Sequence, residues 1–402
     1  MNFALAREQF PALQDKVFLD SACVSLAPSV AVEAIQEFLK IVLHCPARSS
    51  TDHHILLDEM RTKARTQVAR LIECREDEVA LVESTSHGLN IAAEALPLQR
   101  GDHIVMSDLE FMEVGIPWCQ KRDEMGLEID VVPNRQGQLL VEDLAARVTA
   151  RTKAIVVSAV QWSNGFRIDL SKLSEFCRHR SIYLIVDAIQ QLGANPISVK
   201  ATQIDMLACG GHKWLNAPFG AGFLYIRKEL LPELRRPLAG YLSVESPASG
   251  WGNYFQTPEI TPVREYAYVE EARRFESGGT SNYPGAIGLS ASLQLILDLG
   301  QDAIATHVQG LTNHLIAGLQ KLGVEMVTPL DAKCRSGITT FTLGSRENNV
   351  EAMNYLLDKR VLTSVRYTSK VGGVRISCHL FNTKADIEQL LEHLLGFLRG
   401  KS

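Results

Sequence analysis

IYLIVDAIQQ (182–191) and IDMLACGGHKW (204–214) each run through a short apolar segment and then break into polar residues. Such runs read as strands buried on both faces, as in parallel sheets. Asp187, Gln190, His212 and Lys213 would be costly inside a strand of that kind, so their place at its exit asks for a reason. An acid, an amide, an imidazole and an amine at two neighbouring strand exits can surround one flat, basic, electrophilic cofactor.

Around these two segments the chain alternates strand-like and helix-like stretches. The pattern predicts strands at 78–83, 103–107, 128–133, 153–159, 182–187, 204–209 and 222–227, with helices at 112–124, 141–148 and 170–179 among them. That order indicates an α/β fold with a mostly parallel sheet covered by helices, whose ligands bind outside the carboxyl ends of the strands. Beyond residue 285 the pattern becomes helices at 287–299 and 303–322, short strands at 337–342, 362–366 and 373–378, and an amphipathic helix at 383–398. This describes a smaller C-terminal α+β domain. The expected organisation is an N-terminal segment 1–19 packing on the small domain, a large ligand-binding domain 20–284, and the small domain 285–402. Early helices at 30–43 and 57–72 fit against either domain. Residues 240–284, rich in Gly, Pro, Tyr and Ser, read as extended surface or interface chain.

The 402 residues carry a net charge of −5, which offers no basic field for nucleic acid or an anionic membrane. No segment has the continuous apolar length of a membrane span. MNFALAREQFPAL lacks the long apolar core of a signal peptide, and the eight cysteines include no CxxC pair. The expectation is a cytoplasmic protein with free thiols, no metal site, no nucleic-acid partner and no membrane partner.

Several residues have two readings. Lys213 after Gly210-Gly211-His212 is either a Schiff-base lysine projecting from a strand end or a surface lysine after a turn. Asp187 pairs with a pyridinium nitrogen, caps a helix or binds a metal; magnesium would want more carboxylates than either segment supplies. Gln190, three residues on, suits a ring 3′-oxygen. Ser84-Thr85-Ser86-His87-Gly88, between a strand and a helical pattern, is a plain N-cap or an anion cradle of hydroxyls and free N–H groups. Phe111 and Trp162 stand at further strand exits, where an aromatic covers a cofactor face or joins the core. Arg375 in the strand VRIS clamps a carboxylate or faces solvent. Arg273 and Arg274 read as surface residues. Gly278-Gly279-Thr280-Ser281 can close on a phosphate. On the functional readings, these groups would surround pyridoxal 5′-phosphate, with Arg375 on a substrate carboxylate.

The set resembles the class V aminotransferase family of fold-type I pyridoxal-phosphate enzymes, which includes cysteine desulfurases, cystine C–S lyases and isopenicillin-epimerase-like proteins. The resemblance runs from FLDSACVSLAP (18–28) to RISCHLFNT (375–383). VDAIQQLG, DMLACGGHKWLNAPFGAGFLYIRKE and RFESGGTSN carry it most specifically. It implies the fold-type I transferase architecture and Lys213 as the covalent anchor of the cofactor. Asp187 would then pair with the ring nitrogen, Gln190 with the phenolic oxygen, and His212, Ser86 and His87 with the phosphate. Thr280 resembles the threonine that reaches the phosphate of a neighbouring subunit, which implies a homodimer with shared sites. Arg375 resembles the arginine that binds the substrate carboxylate.

The departures from the family pattern bear on the reaction. Cysteine desulfurases place a histidine over the ring, where LEFMEVGIPW has Phe111. Their persulfide-forming cysteine lies on a loop before the carboxylate-binding arginine, and DKRVLTSVRYTSKVGG contains none. Ser84 replaces a commoner glycine, Gly210 a commoner serine, and Trp162 an asparagine. The expectation is a lytic enzyme acting on cysteine- or cystine-type amino acids without a persulfide relay. Transamination is the competing reading, and epimerisation, which needs a second proton donor, stands behind both.

Overall fold

The computed structural model describes residues 2–401. Its larger sheet has seven strands: β1 (Val79–Val82), β2 (His103–Ser107), β3 (Glu128–Val132), β4 (Thr152–Ser158), β5 (Tyr183–Asp187), β6 (Met206–Gly210) and β7 (Gly222–Ile226). They lie side by side in the order β1-β7-β6-β5-β4-β2-β3. β7 runs antiparallel to both of its neighbours, while β6, β5, β4, β2 and β3 are mutually parallel.

The alternation of side chains explains why these strands are apolar throughout. Ala154, Val156, Ile185, Met206 and Ala208 enter one core, and Ile155, Val157, Leu184, Val186 and Leu207 enter another on the opposite face. A strand covered on both faces gains from every residue, about 1.5–3 kcal/mol for each large aliphatic side chain removed from water. Polar residues are therefore pushed to its ends.

A second, antiparallel sheet contains β8 (Glu325–Met326), β9 (Ile338–Thr342), β10 (Ser364–Thr368) and β11 (Val371–Ser377), in the order β10-β11-β9-β8. Leu311, Leu315, Leu356, Ile387 and Leu390 from three helices close a third core on it. The start of the chain belongs here as well. Val17 and Phe18 pair in parallel with Val361 and Leu362, Asp20 bridges to Ser377, and Arg7 forms a 2.8 Å ion pair with Asp386. Among the described residues no helix is long and apolar enough to cross a membrane.

Most expected elements are present within a few residues, and the larger differences have local causes. The helix expected at 57–72 begins at Ser50, because Ser49 accepts from the Asp52 amide and starts a polar first turn that shows no apolar periodicity. The helix expected at 287–299 begins at Tyr283, where Asn282 caps the Gly285 amide and Pro284 sits in the tolerant first turn. These two helices and the helix Ser29–His44 pack together around Phe38, Tyr283 and Ile287. Arg274, expected at the surface, is buried and donates to the Leu231 carbonyl.

Candidate active site

The carboxyl ends of β4, β5 and β6 stop at the same edge, with Asp187 opposite Ser158 on one side and Ala208 on the other. Asp187 is buried. The Ile189 amide donates to its Oδ1 at 2.9 Å, and Oδ2 has no donor among the described residues. Burial pushes its carboxyl up to about 6, against the opposing pull of that amide and of Lys213.

After Gly210 the chain turns back into β7, and the returning loop carries His212 and Lys213. The turn needs small residues. A Cβ on Gly211 would meet Ala217 at 2.7 Å, and one on Gly222 would meet the Cys209 carbonyl at 2.6 Å. Lys213 points into the interior, and its Nζ lies 5.8 Å from the centroid of the Phe111 ring. Burial lowers its pKa, Asp187 resists, and Arg375 lowers it further. Its Nζ makes no hydrogen bond among the described residues, so the half-buried amine is held below its ordinary pKa and is uncommitted. That is the state a nucleophile or proton acceptor needs.

The helix Thr85–Ala95 starts against the carboxyl end of β6. Ser84 caps it by accepting from the His87 amide at 3.0 Å, and Thr85 Oγ1 accepts from the Gly210 amide at 2.8 Å, which ties the helix start to the end of β6. Gly88 brings the helix down onto Ala208, whose Cβ is 3.0 Å from where a Gly88 Cβ would stand. The amides of Thr85 and Ser86 have no acceptor among the described residues, and N–H groups at a helix start favour an anion. His87 Nδ1 meets the Glu83 carboxylate, which that contact holds below its ordinary pKa. The His212 ring stacks on Phe219 at 5.0 Å, and burial pushes it down to about 4, so it is a neutral imidazole.

Phe111 and Trp162 meet edge to face at 5.1 Å beside Lys213. Gln190 is locked: its amide donates to the Ala22 carbonyl at 3.0 Å, and its Oε1 accepts from the Trp214 indole at 2.8 Å. Glu110, to which the sequence gave no role, anchors this wall. It accepts from the Ser158 amide and hydroxyl and from Gln161, and burial raises its carboxyl to about 7. It also precedes Phe111, so it fixes where that ring begins.

Arg375 is 1 % exposed, which removes the solvent-facing reading. Its guanidinium donates to the Trp162 carbonyl at 2.9 Å and to Asp20 at 3.1 Å, and Nε has no partner among the described residues. Ser364 also donates to Asp20. Asp20 and Cys23, in the first segment of the chain, and Arg366, on β10, join this corner although sequence reasoning had assigned them nothing. A signal was present: Asp20 ends the apolar run VFL, as Asp187 ends IYLIV. Thr280 is exposed, and no hydrogen bond joins it to these groups among the described residues.

The residues fit a cofactor with a basic ring nitrogen, a phosphate and an aldehyde. Among the described residues, the Oδ2 of the buried Asp187 has no donor, the helix start offers unclaimed N–H groups, and the Lys213 amine makes no hydrogen bond.

Residues 17–390 match the family model described as aminotransferase class-V. A probable cysteine desulfurase of Pyrococcus abyssi is 27% identical, with 98% of each chain covered. An uncharacterized aminotransferase of Bacillus subtilis, YcbU, is also 27% identical, with 96% of each chain covered. Among solved structures, the apo cysteine desulfurase of Thermococcus onnurineus NA1 superposes with a TM-score of 0.86 at 26% identity, over 99% of this chain and 98% of that one.

Proposed function

The chain belongs to the class-V aminotransferase family and is a pyridoxal 5′-phosphate-dependent enzyme of fold type I; within that family we propose that it is a β-eliminating C–S lyase acting on cysteine- or cystine-type amino acids without an enzyme persulfide. One observation carries this reading. β10 and β11 are joined by the two-residue turn Ser369–Lys370, both residues having positive φ, as a tight hairpin requires. This hairpin occupies the stretch before Arg375 where the desulfurase pattern has its cysteine-bearing loop. It contains no cysteine and has no length in which to carry one into the site.

Lys213 would anchor the cofactor. Asp187 would hold the ring nitrogen, Gln190 would serve the phenolic oxygen, and Ser86, His87 and His212 would serve the phosphate. Phe111 and Trp162 would cover the ring, and Arg375 would take the substrate carboxylate. The cofactor supplies a carbonyl that takes up the substrate amine and a conjugated ring that draws electrons from Cα. Lys213 would be the base that accepts the α-proton at Nζ, its pKa lowered by burial. Asp187 would favour a positive charge at the far side of the ring. The Cβ–S bond then breaks with its electron pair on sulfur. The sum is cystine plus water giving pyruvate, ammonia and cysteine persulfide.

We assign the cofactor to a large domain, residues 20–284, with 285–402 as the smaller domain and 1–19 packed on it. The working unit is a homodimer in which Thr280 serves the partner's phosphate. Two features support that: Thr280 faces outward, and Phe219, stacked on His212, is 66 % exposed. Light scattering tests the assembly.

The reaction is tested by incubating the holoenzyme with L-cystine, L-cysteine and β-chloroalanine. Equal yields of pyruvate and ammonia are expected. Alanine as product would mark a persulfide relay, and a keto acid retaining its side chain would mark transamination; either overturns the reading. Lys213→Ala is expected to lose the visible band of the lysine-bound cofactor and to lose roughly 10²–10⁴-fold in kcat.

A further inference from the structure

Glu110, Ser158 and Asp187 stand at three consecutive strand exits, because β2, β4 and β5 lie side by side. Ser158 is directly opposite Asp187 in the register of β4 and β5, and the Ala159 amide donates to the Asp187 carbonyl at 2.8 Å. On its other side β4 loses its partner early. The pairing of β2 with β4 ends at Met106 and Val156. Two residues later the Ser158 amide donates to the Glu110 carboxylate, at 2.8 Å, where a backbone carbonyl would have continued the sheet. The Ser158 hydroxyl donates to the same oxygen, and Gln161 donates to the other at 2.9 Å. Both oxygens of Glu110 are thus engaged by protein donors, so Glu110 acts through its neighbours.

The neighbour whose charge it feels is Asp187. Burial raises the Glu110 carboxyl to about 7 against the pull of Ser158 and Gln161, and the charge of Asp187 adds to the rise. Two sheltered carboxylates on adjoining strand exits resist being ionised together. The other charged groups around Glu110 have other places. Lys213 lies across the Phe111 ring, and Arg375 is directed at the Trp162 carbonyl and Asp20. Arg167 donates to the Lys333 carbonyl. On the segment of Glu110 itself, Asp108 accepts from Asn134, and Glu113 lies in the first turn of the helix Met112–Met125. A cation set against Asp187 relieves the repulsion between the two acids. That cation and the ionised form of Glu110 therefore favour each other, and the coupling is reciprocal.

We propose that Glu110 is a positioning residue for the cofactor ring: it braces Ser158 and, as a second carboxylate behind Asp187, strengthens the hold of Asp187 on a protonated ring nitrogen. The proposal rests on the assignment of Asp187 to that nitrogen. Its sign in pH follows from linkage. A bound cation lowers the pKa of Glu110, so the gain in cofactor affinity is absent in acid and complete above about pH 7, where Glu110 is ionised without help.

The test titrates cofactor-free protein with pyridoxal 5′-phosphate and reads binding from the quenching of tryptophan fluorescence. Glu110→Gln keeps the shape and removes the charge. It is expected to weaken binding about tenfold near pH 8.5 and less than about twofold near pH 5.5. An equal loss at both pH values would reduce Glu110 to a brace and overturn the proposal, as would no loss at either. Ser158→Ala removes one donor to the carboxylate and is expected to move the rise in affinity to higher pH; an unmoved rise overturns the coupling even where Glu110→Gln folds poorly. In an Asp187→Asn background Glu110→Gln is expected to add little, and a full tenfold further loss would show that Glu110 does not act through Asp187. The two assignments fail separately. Unchanged affinity in Asp187→Asn alone removes Asp187 from the ring nitrogen and the proposal with it. Weakened affinity in Asp187→Asn, with a loss in Glu110→Gln that is the same at both pH values, keeps Asp187 there and removes Glu110 alone.

Discussion

Two buried charged clusters, about Glu276 and about Asp187, are built on opposite terms. Glu276 follows Phe275 in the chain and is saturated: Arg61 donates to Oε2 at 2.6 Å, and Arg65 and the Leu81 amide donate to Oε1, each at 2.8 Å. Burial alone would raise its pKa, but Arg65 and Arg61 outweigh burial and hold it below the ordinary carboxylate value. Asp187 is equally buried and has one backbone donor, so burial wins there and the pKa rises to about 6. A charge whose two oxygens are both engaged by donors fixes structure. A charge left with an empty acceptor beside an uncommitted amine is prepared for a ligand.

The sharpest way to break this contrast is Glu276→Ala, which strands two buried arginines. It is expected to lower stability by about 3–5 kcal/mol in denaturant unfolding. A loss below about 1 kcal/mol would show that the cluster is not the structural one.

Asp187→Asn comes next and has the opposite sign. A native carboxyl at about 6 against an ordinary 3.8 binds more protons folded than unfolded, so ionisation of Asp187 opposes folding above pH 6. The cofactor-free Asn variant should therefore be more stable than the parent at pH 7 by about 3 kcal/mol, with the gap closing as the pH falls towards 4. Glu276 behaves in reverse: its contribution is present at neutral pH and is lost as the pH falls below the ordinary carboxylate range. Unfolding midpoints of both variants at pH 5 and 7 separate the clusters, and parallel pH profiles would collapse the distinction.

The smallest effect is expected at the seam between the helix start and β6. Thr85→Val leaves the buried Gly210 amide without an acceptor, which costs about 1–3 kcal/mol, and it should also weaken cofactor binding. Unchanged cofactor affinity in an equilibrium titration would place the cradle elsewhere.

The large sheet was legible because its strands are apolar on both faces, so few local alternatives compete. Residues at strand exits were legible for the same reason: Asp187, Lys213 and Phe111 interrupt patterns that would otherwise continue. Glu110 was quoted in the sequence without a role, since an acid beside an aromatic at a strand exit has no chemistry until Ser158 and Gln161 are brought to it. Arg366 and Cys23 were invisible for a related reason. They are 343 residues apart, and neither belongs to a pattern that predicts the other.

What the sequence determined by itself was the parallel sheet and the exits of its strands, because each follows from the local order of apolar and polar residues; the cofactor came from the polar residues at those exits together with the family resemblance. What only the tertiary structure decided was which charges are satisfied and which are left open. Asp20 reaching Arg375, Glu276 holding two arginines, and Arg366 resting on Cys23 are all contacts made across long stretches of chain. The energy of a buried charge depends on such partners and on the water they exclude, and neither is written in the residue's own neighbourhood.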